Sequence, residues 1–294
     1  MSSIYKHTKV DFIILLYMVF VITVTLYPFL NVVAKSFNDP IDTVKGGVHI
    51  IPRVFTLQNY IGLFEAGSNL PIAFRTSVLR TVIGAFSGVL CCAMFAFVLS
   101  RKDFIFRRSF TIFLVVTMYV GGGMIPEYLL IRNLGLINNF LVYILPGLIN
   151  AFNVIVIRAY MDTIPFSLQE SAKIDGANDI SIFFRIIIPL CKPVLATIAL
   201  FIAVGQWNSW FDTYLYARNT TNLSTLQYEL MKVLDSAQAV AAQDIYSQGL
   251  RAARRNPEAI KMAITVIATV PILMIYPFLQ KYFVSGITIG AVKE

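Results

Sequence analysis

The chain has 294 residues, 57% of them hydrophobic and 14% charged, with a mean hydropathy of +0.71; soluble domains carry about 25% charged residues, so an ordinary soluble enzyme is excluded. The 24 Lys and Arg against 16 Asp and Glu give a net charge of +8, which suits nucleic acid or an anionic membrane surface, and the long apolar runs decide for the membrane. The three cysteines, two of them adjacent inside an apolar run, supply no disulfide framework.

A helix crosses the roughly 30 Å hydrocarbon core with about 20 apolar residues. In chain order, six runs qualify: 12–34, 81–100, 109–126, 139–157, 194–211 and 262–279. The first is too long for the apolar region of a signal peptide and lacks a small-residue cleavage site, so it is expected to stay as a permanent helix. Orientation follows from Arg101, Lys102, Arg107 and Arg108, the tightest basic cluster beside span ends. That loop is expected to be cytoplasmic, and an even number of spans then puts both termini inside. The segment 35–70 carries Gly46, Gly47, Pro52 and Gly67, which read as turns on the outer face. The loop from Asp212 to Lys261 carries an expected helix over 225–242. Residues 1–294 are thus expected to form a single all-α, polytopic transmembrane domain.

The segment 158–193, between the fourth and fifth spans, is neither apolar enough to insert nor polar enough to be disordered. Ser167-Leu168-Gln169-Glu170 fits a capping box and predicts a short helix from Leu168. Gly176 suits the left-handed position that ends a helix, and Asn178 can cap a second one. Ile180, Phe183, Phe184 and Ile187 recur at helical spacing and predict one apolar face, before Pro189 and Pro193 interrupt. Local physics therefore predicts a helix-turn-helix at the inner membrane face. It either packs under its own bundle or docks into a cleft of a soluble partner.

The stretch Glu170-Ser171-Ala172-Lys173-Ile174-Asp175-Gly176-Ala177, followed by Phe183, Ile186, Pro189 and Pro193, resembles the EAA loop of bacterial ATP-binding cassette (ABC) importer permeases. Ser171 in place of the second-position Ala is the one departure in the core motif. Gln206-Trp207-Asn208-Ser209-Trp210-Phe211 and the tail from Tyr282 to Lys293 resemble carbohydrate-importer permeases of the maltose-system type. The Gly121–Gly135 stretch resembles the subgroup of oligosaccharide permeases found in polysaccharide-degrading bacteria.

That resemblance implies a six-helix permease subunit in the bacterial cell membrane, working beside a second permease subunit. Two copies of a cytoplasmic ABC ATPase would lie below and an extracytoplasmic sugar-binding protein above. Glu170, Ser171, Ala172, Asp175, Gly176, Ala177, Phe183 and Pro189 would form the ATPase-coupling element, within a loop spanning 158–193. ATP would be bound by the partner subunits, with no cofactor, metal or catalytic residue in this chain. The subgroup points to oligosaccharides from plant or algal polysaccharides, including acidic uronate oligomers.

The sequence holds no G-x-x-x-x-G-K-[ST] phosphate loop, in keeping with that division of labour. His7 and His49 are isolated, and Cys91, Cys92 and Cys191 read as packing residues. Polar groups at membrane depth normally face a cavity, and sugars are bound by aromatic faces and amides. Gln206, Trp207, Asn208, Trp210 and Asn153 are therefore the substrate-path candidates. The two tryptophans fit an interfacial aromatic belt as well, and Asn153 an interhelical hydrogen bond. Gly84-x-x-x-Gly88 reads as a close helix contact; the Gly121-Gly122-Gly123 run reads either as a helix break or as a packing site. The alternatives are an ABC permease for a polyamine, phosphate or amino acid, and an ATP-independent secondary transporter or intramembrane enzyme. The second of these would need acidic or His residues inside the spans, and the six runs contain none.

Overall fold

The computed structural model describes residues 9–64, 68–243 and 258–274. Every element longer than one turn among them is helical. The helices are α1 (Lys9–Ser36), α2 (Pro40–Val44), α3 (Gln58–Phe64), α4 (Leu70–Ser100), α5 (Arg107–Tyr119), α6 (Met124–Asn133) and α7 (Ala151–Met161). After them come α8 (Ser167–Ile174), α9 (Asp179–Ile182), a π-helical turn (Phe183–Ile187), α10 (Ile188–Leu190), α11 (Lys192–Asn208), α12 (Phe211–Tyr216) and α13 (Leu226–Gln243). A last helix, α14, covers 258–274.

The chain divides into two compact units, Met1–Ser68 with Leu230–Val270 and Asn69–Glu229 with Pro271–Glu294. In the first, α1 exposes Phe12, Leu16, Phe20, Val24 and Phe29 in succession. A helix that is apolar all round needs lipid or neighbouring helices as its solvent. The loop after α1 is organised by Asn38, which is fully buried. Its Oδ1 accepts from the Arg53 and Val54 amides at 2.8 and 2.9 Å, and its Nδ2 donates to Asp42 and Thr43, both at 3.0 Å. Gly46 and Gly47, both at positive φ, turn the chain so that the Arg53 guanidinium meets Asp42 at 3.0 Å and the Gly46 carbonyl at 2.6 Å.

The second unit is built on α4, a rod packed mainly against α11 and then α7. Gly84 and Gly88 are the contact points with α11. A Cβ on Gly84 would lie 3.0 Å from the Gln206 side chain, and one on Gly88 3.1 Å from Ile202. The core at the C-terminal end of α4 joins Ala93, Ala96 and Phe97 of α4 to Ile157 of α7, Phe183 of the π turn and Ile198 of α11.

Two described helices are long and apolar enough to span a membrane alone, Val10–Ser36 and Leu70–Ser100. Two further pairs pass that test together: α5 with α6, bent by 117°, and Asp179–Leu190 with α11, bent by 83°. Several expected boundaries differ. The run 81–100 is only the later part of α4, which begins at Leu70 and carries Arg80 inside it. The run 109–126 stops being helical at Tyr119, where Val120 turns extended; Gly123, at φ +86°, a conformation open to glycine, then caps a helix leaving in another direction. The run 139–157 is not one helix. Asn139 caps a 3-10 turn over Phe140–Tyr143, Pro146 lies in the break, and Asn150 caps α7. The run 194–211 is helical to Asn208, then extended at Ser209. The end of the run 262–279 and the tail after 274 lie outside the described residues.

Candidate functional site

Two places in the second unit concentrate polar chemistry: the loop 158–193 and a cavity between α4, α7, α11 and α12.

The loop folds as two short helices meeting at Gly176. Gly176 takes φ +81°; its N–H donates to the Lys173 carbonyl at 3.0 Å, and the Ala177 N–H donates to the Ala172 carbonyl at 2.9 Å. That pair of bonds is a Schellman closure, which satisfies carbonyls the helix end would otherwise orphan. Asn178 then caps α9 through the Ser181 amide at 2.8 Å. The expected capping box at Ser167 does not form. Phe166, helical in φ and ψ, stands at the N-cap without a side-chain bond, and its carbonyl accepts from the Gln169 and Glu170 amides. The expected apolar face is also re-sorted. The π turn at Phe183–Ile187 shifts the register, so Ile182, Phe183 and Ile187 are buried while Ile180 and Phe184 are exposed.

Within this loop, Phe183 packs on Phe97 with ring centroids 5.3 Å apart, and Ala172 and Ala177 lie half-buried against the same core. Glu170, Ser171, Asp175, Gly176 and Pro189 face outward. Around them Ile174 is 86% exposed and Ile180 69%, so the loop presents a charged and aliphatic face that nothing within the chain covers among the described residues.

The cavity, about 490 Å³, is lined by Arg80, Glu127, Tyr143, Asn150, Asn153, Gln206, Ser209, Asp212 and Tyr216. A second, of about 680 Å³, shares Glu127, Ser209, Asp212 and Tyr216 with it and extends to Gly121–Gly123. Arg80, only 1% exposed, holds the wall together. Its Nη1 meets Asp212 Oδ1 at 3.2 Å while Nη2 pairs with Oδ2. Its Nε and Nη2 donate to Gln206 Oε1 at 3.0 and 2.8 Å, and its guanidinium lies 4.4 Å from the centre of the Tyr143 ring. Gln206 completes the circuit by donating to the Tyr143 carbonyl at 2.9 Å. A buried cation is tolerated only when paired and hydrogen-bonded in this way.

Of the five substrate-path candidates, Gln206 and Asn153 face this cavity. Trp207 is buried on the other side of α11, edge-on to Phe74 at 6.1 Å, in an apolar recess of about 160 Å³. Asn208 points outward and bonds the Val204 carbonyl and Gln227. Trp210 belongs to an aromatic cluster with Phe211 and Tyr214. Sequence reasoning passed over Arg80, Asp212 and Glu127. Counting charge-free runs placed Arg80 just before a span and Asp212 just after one, although an Arg in an otherwise apolar helix is itself a signal.

Residues 73–289 match the family described as the binding-protein-dependent transport system inner membrane component. The chain belongs to that family. It is therefore a membrane permease of the ABC importer type, and its fold is that of an all-helical, polytopic permease. The chain is 37% identical over 291 residues to the polygalacturonan/rhamnogalacturonan transport system permease protein YtcP of Bacillus subtilis, covering 98% of this chain and 99% of that one. It is 38% identical over 270 residues to the protein LplC of the same organism, covering 92% and 90%. Among solved structures it is similar to a bacterial ABC transporter involved in the import of the acidic polysaccharide alginate. The TM-score there is 0.81 and the identity 29%, over 94% of this permease and 99% of that chain.

Proposed function

We propose that this permease forms one half of the pore of an importer for oligosaccharides released from plant or algal polysaccharides. A second permease subunit would supply the other half, two copies of a cytoplasmic ATPase would drive it, and an extracytoplasmic binding protein would deliver the sugar. Both termini face the cytoplasm in this arrangement, and the permease catalyses no covalent step.

The similarity along nearly the whole length to a polygalacturonan/rhamnogalacturonan permease and to a transporter involved in alginate import carries the reading. The polar cavity supports it. Asn150, Asn153, Gln206 and Ser209 supply amides and a hydroxyl that can meet sugar hydroxyls, and Tyr216 supplies an aromatic face. The exposed face of the loop, with Glu170, Ser171, Asp175 and Gly176 around the α8–α9 turn and Pro189 in α10, is the part of the permease offered to an ATPase cleft. Phe183, Ala172 and Ala177 tie that face to the core, so a push on it is delivered to the helices that line the cavity.

Deleting the gene from its host and measuring growth and uptake on labelled oligogalacturonates, alginate oligomers and neutral arabino-oligosaccharides tests the cargo. Loss of uptake of at least one oligosaccharide, restored by the intact gene, is expected. Unchanged uptake of all of them, with loss of a polyamine, phosphate or amino acid instead, would overturn the carbohydrate assignment.

A further inference from the structure

Two arginines of the second unit are almost wholly buried, and both belong to α4 or its C-cap. Arg80 anchors the cavity, and Arg101, 6% exposed, caps the other end. At 1.5 Å per residue they are about 31 Å apart along the rod. Sequence reasoning used Arg101 only as a marker of membrane sidedness. Its contacts show much more.

The Arg101 Nη1 donates to Gln169 Oε1 of α8 at 2.7 Å, and Gln169 is itself buried. The Nη2 donates to Asp179 Oδ1 of α9 at 2.8 Å, and Nε lies 3.4 Å from Asp103. One planar guanidinium thus grips both helices of the loop, one on each side of the Gly176 turn, and lies 5.4 Å from the ring of Phe97, which packs on Phe183. Lys173 reinforces the clasp at 3.8 Å from both Asp103 and Asp179. A lysine at 101 would be a point charge unable to span Gln169 and Asp179 together.

The chain already ties the loop to α11 through α10. If the loop moved α11 alone, α11 would slide against α4. Gln206 on α11 and Asp212 beyond it would then be pulled away from Arg80 on α4. We propose that Arg101 is the positioning residue that fixes the loop to α4 as well as α11. The two helices then move as one body and the Arg80–Gln206–Asp212 junction stays closed while the cavity is reoriented. This rests on the reading of the chain as an ATPase-coupled permease, but not on which sugar it carries.

The test uses the assembled transporter with its partner subunits. A reporter cysteine at Ser209, on the cavity wall, is labelled with a water-soluble maleimide in the nucleotide-free and ATP–vanadate states, after replacement of Cys91, Cys92 and Cys191. With Arg101 intact, labelling is expected to differ severalfold between the two states. Arg101→Gln is expected to reduce that difference at least tenfold while the ATPase still co-purifies and hydrolyses ATP; Arg101→Lys should restore part of it. An unchanged difference in Arg101→Gln would overturn the proposal, as would no difference in the Arg101-bearing parent. If Arg101→Gln fails to assemble, Asp179→Asn removes one arm of the clasp alone. An intermediate loss is then expected, and a parental difference overturns the proposal. Failure of every oligosaccharide to be transported by the parent would remove the cargo assignment and leave this labelling result standing.

Discussion

Arg80 shows how one residue can set the character of a membrane cavity. A guanidinium surrounded by Asp212, Gln206 and Tyr143 is held in place by every group it touches, and each of those groups is oriented in return. Removing one partner leaves the other uncompensated, which for buried pairs costs about 3–5 kcal/mol. Asp212→Asn is expected near the low end, about 3 kcal/mol, because the Asp212 side chain is 23% exposed. Thermal unfolding of the purified permease measures it, and an Arg80→Met, Asp212→Leu pair should recover most of the loss. At the opposite extreme, the Asn38 amide donates to Asp42 and, with Arg53 and Lys45, holds that carboxyl below the usual range against the opposing effect of desolvation. A depressed folded value stabilises the loop at pH above the ordinary carboxylate value of about 3.9, and the contribution is lost as pH falls through the folded value. Amide exchange at Arg53 and Val54, corrected for intrinsic rates, should therefore lose protection on acidification. Asp42→Asn should remove that pH dependence.

At the scale of elements, the turn at Gly176 was readable in the sequence because its causes are local. A glycine at the left-handed position and an Asn cap two residues later need no partner from elsewhere in the chain. Gly176→Val forces a branched side chain into φ +81°, at about 1–3 kcal/mol of strain. Transport per ATP hydrolysed is expected to fall at least tenfold with the permease still inserted, measured by uptake and ATP hydrolysis on the same vesicles. The cavity was not readable, because its wall unites positions as far apart as Arg80 and Asp212. Counting charge-free runs also left both residues outside the spans, although Arg80 lies inside α4. The run 139–157 misled for a related reason. Its apolar content is real, but Pro146 and the caps Asn139 and Asn150 break the helix without changing the hydropathy. The Gly84 and Gly88 contact, by contrast, was readable as close packing. Gly88→Leu places side-chain atoms where Ile202 already stands, 3.1 Å from the first added carbon. It should destabilise α4 against α11 by about 1–3 kcal/mol, seen as a lowered melting temperature in detergent.

For the whole molecule, the family assignment makes the chain a permease, and α4 and α11 of its second unit connect the loop 158–193, which we propose meets an ATPase, with the polar cavity that we propose receives cargo. Composition alone could say membrane; the polar interruption at 158–193 could say which kind of membrane protein. Neither could identify the sugar, because a family's shared loop records how transport is driven rather than what is carried. The most direct measurement is ATP-dependent uptake of a labelled oligogalacturonate or alginate oligomer into proteoliposomes holding this permease, its partner permease and the ATPase, with the binding protein supplied outside. Saturable accumulation that requires ATP and the binding protein, and that is lost in Gly176→Val while the ATPase remains bound, is the predicted result. Accumulation that proceeds equally without ATP, or is unaffected by Gly176→Val, would contradict the account.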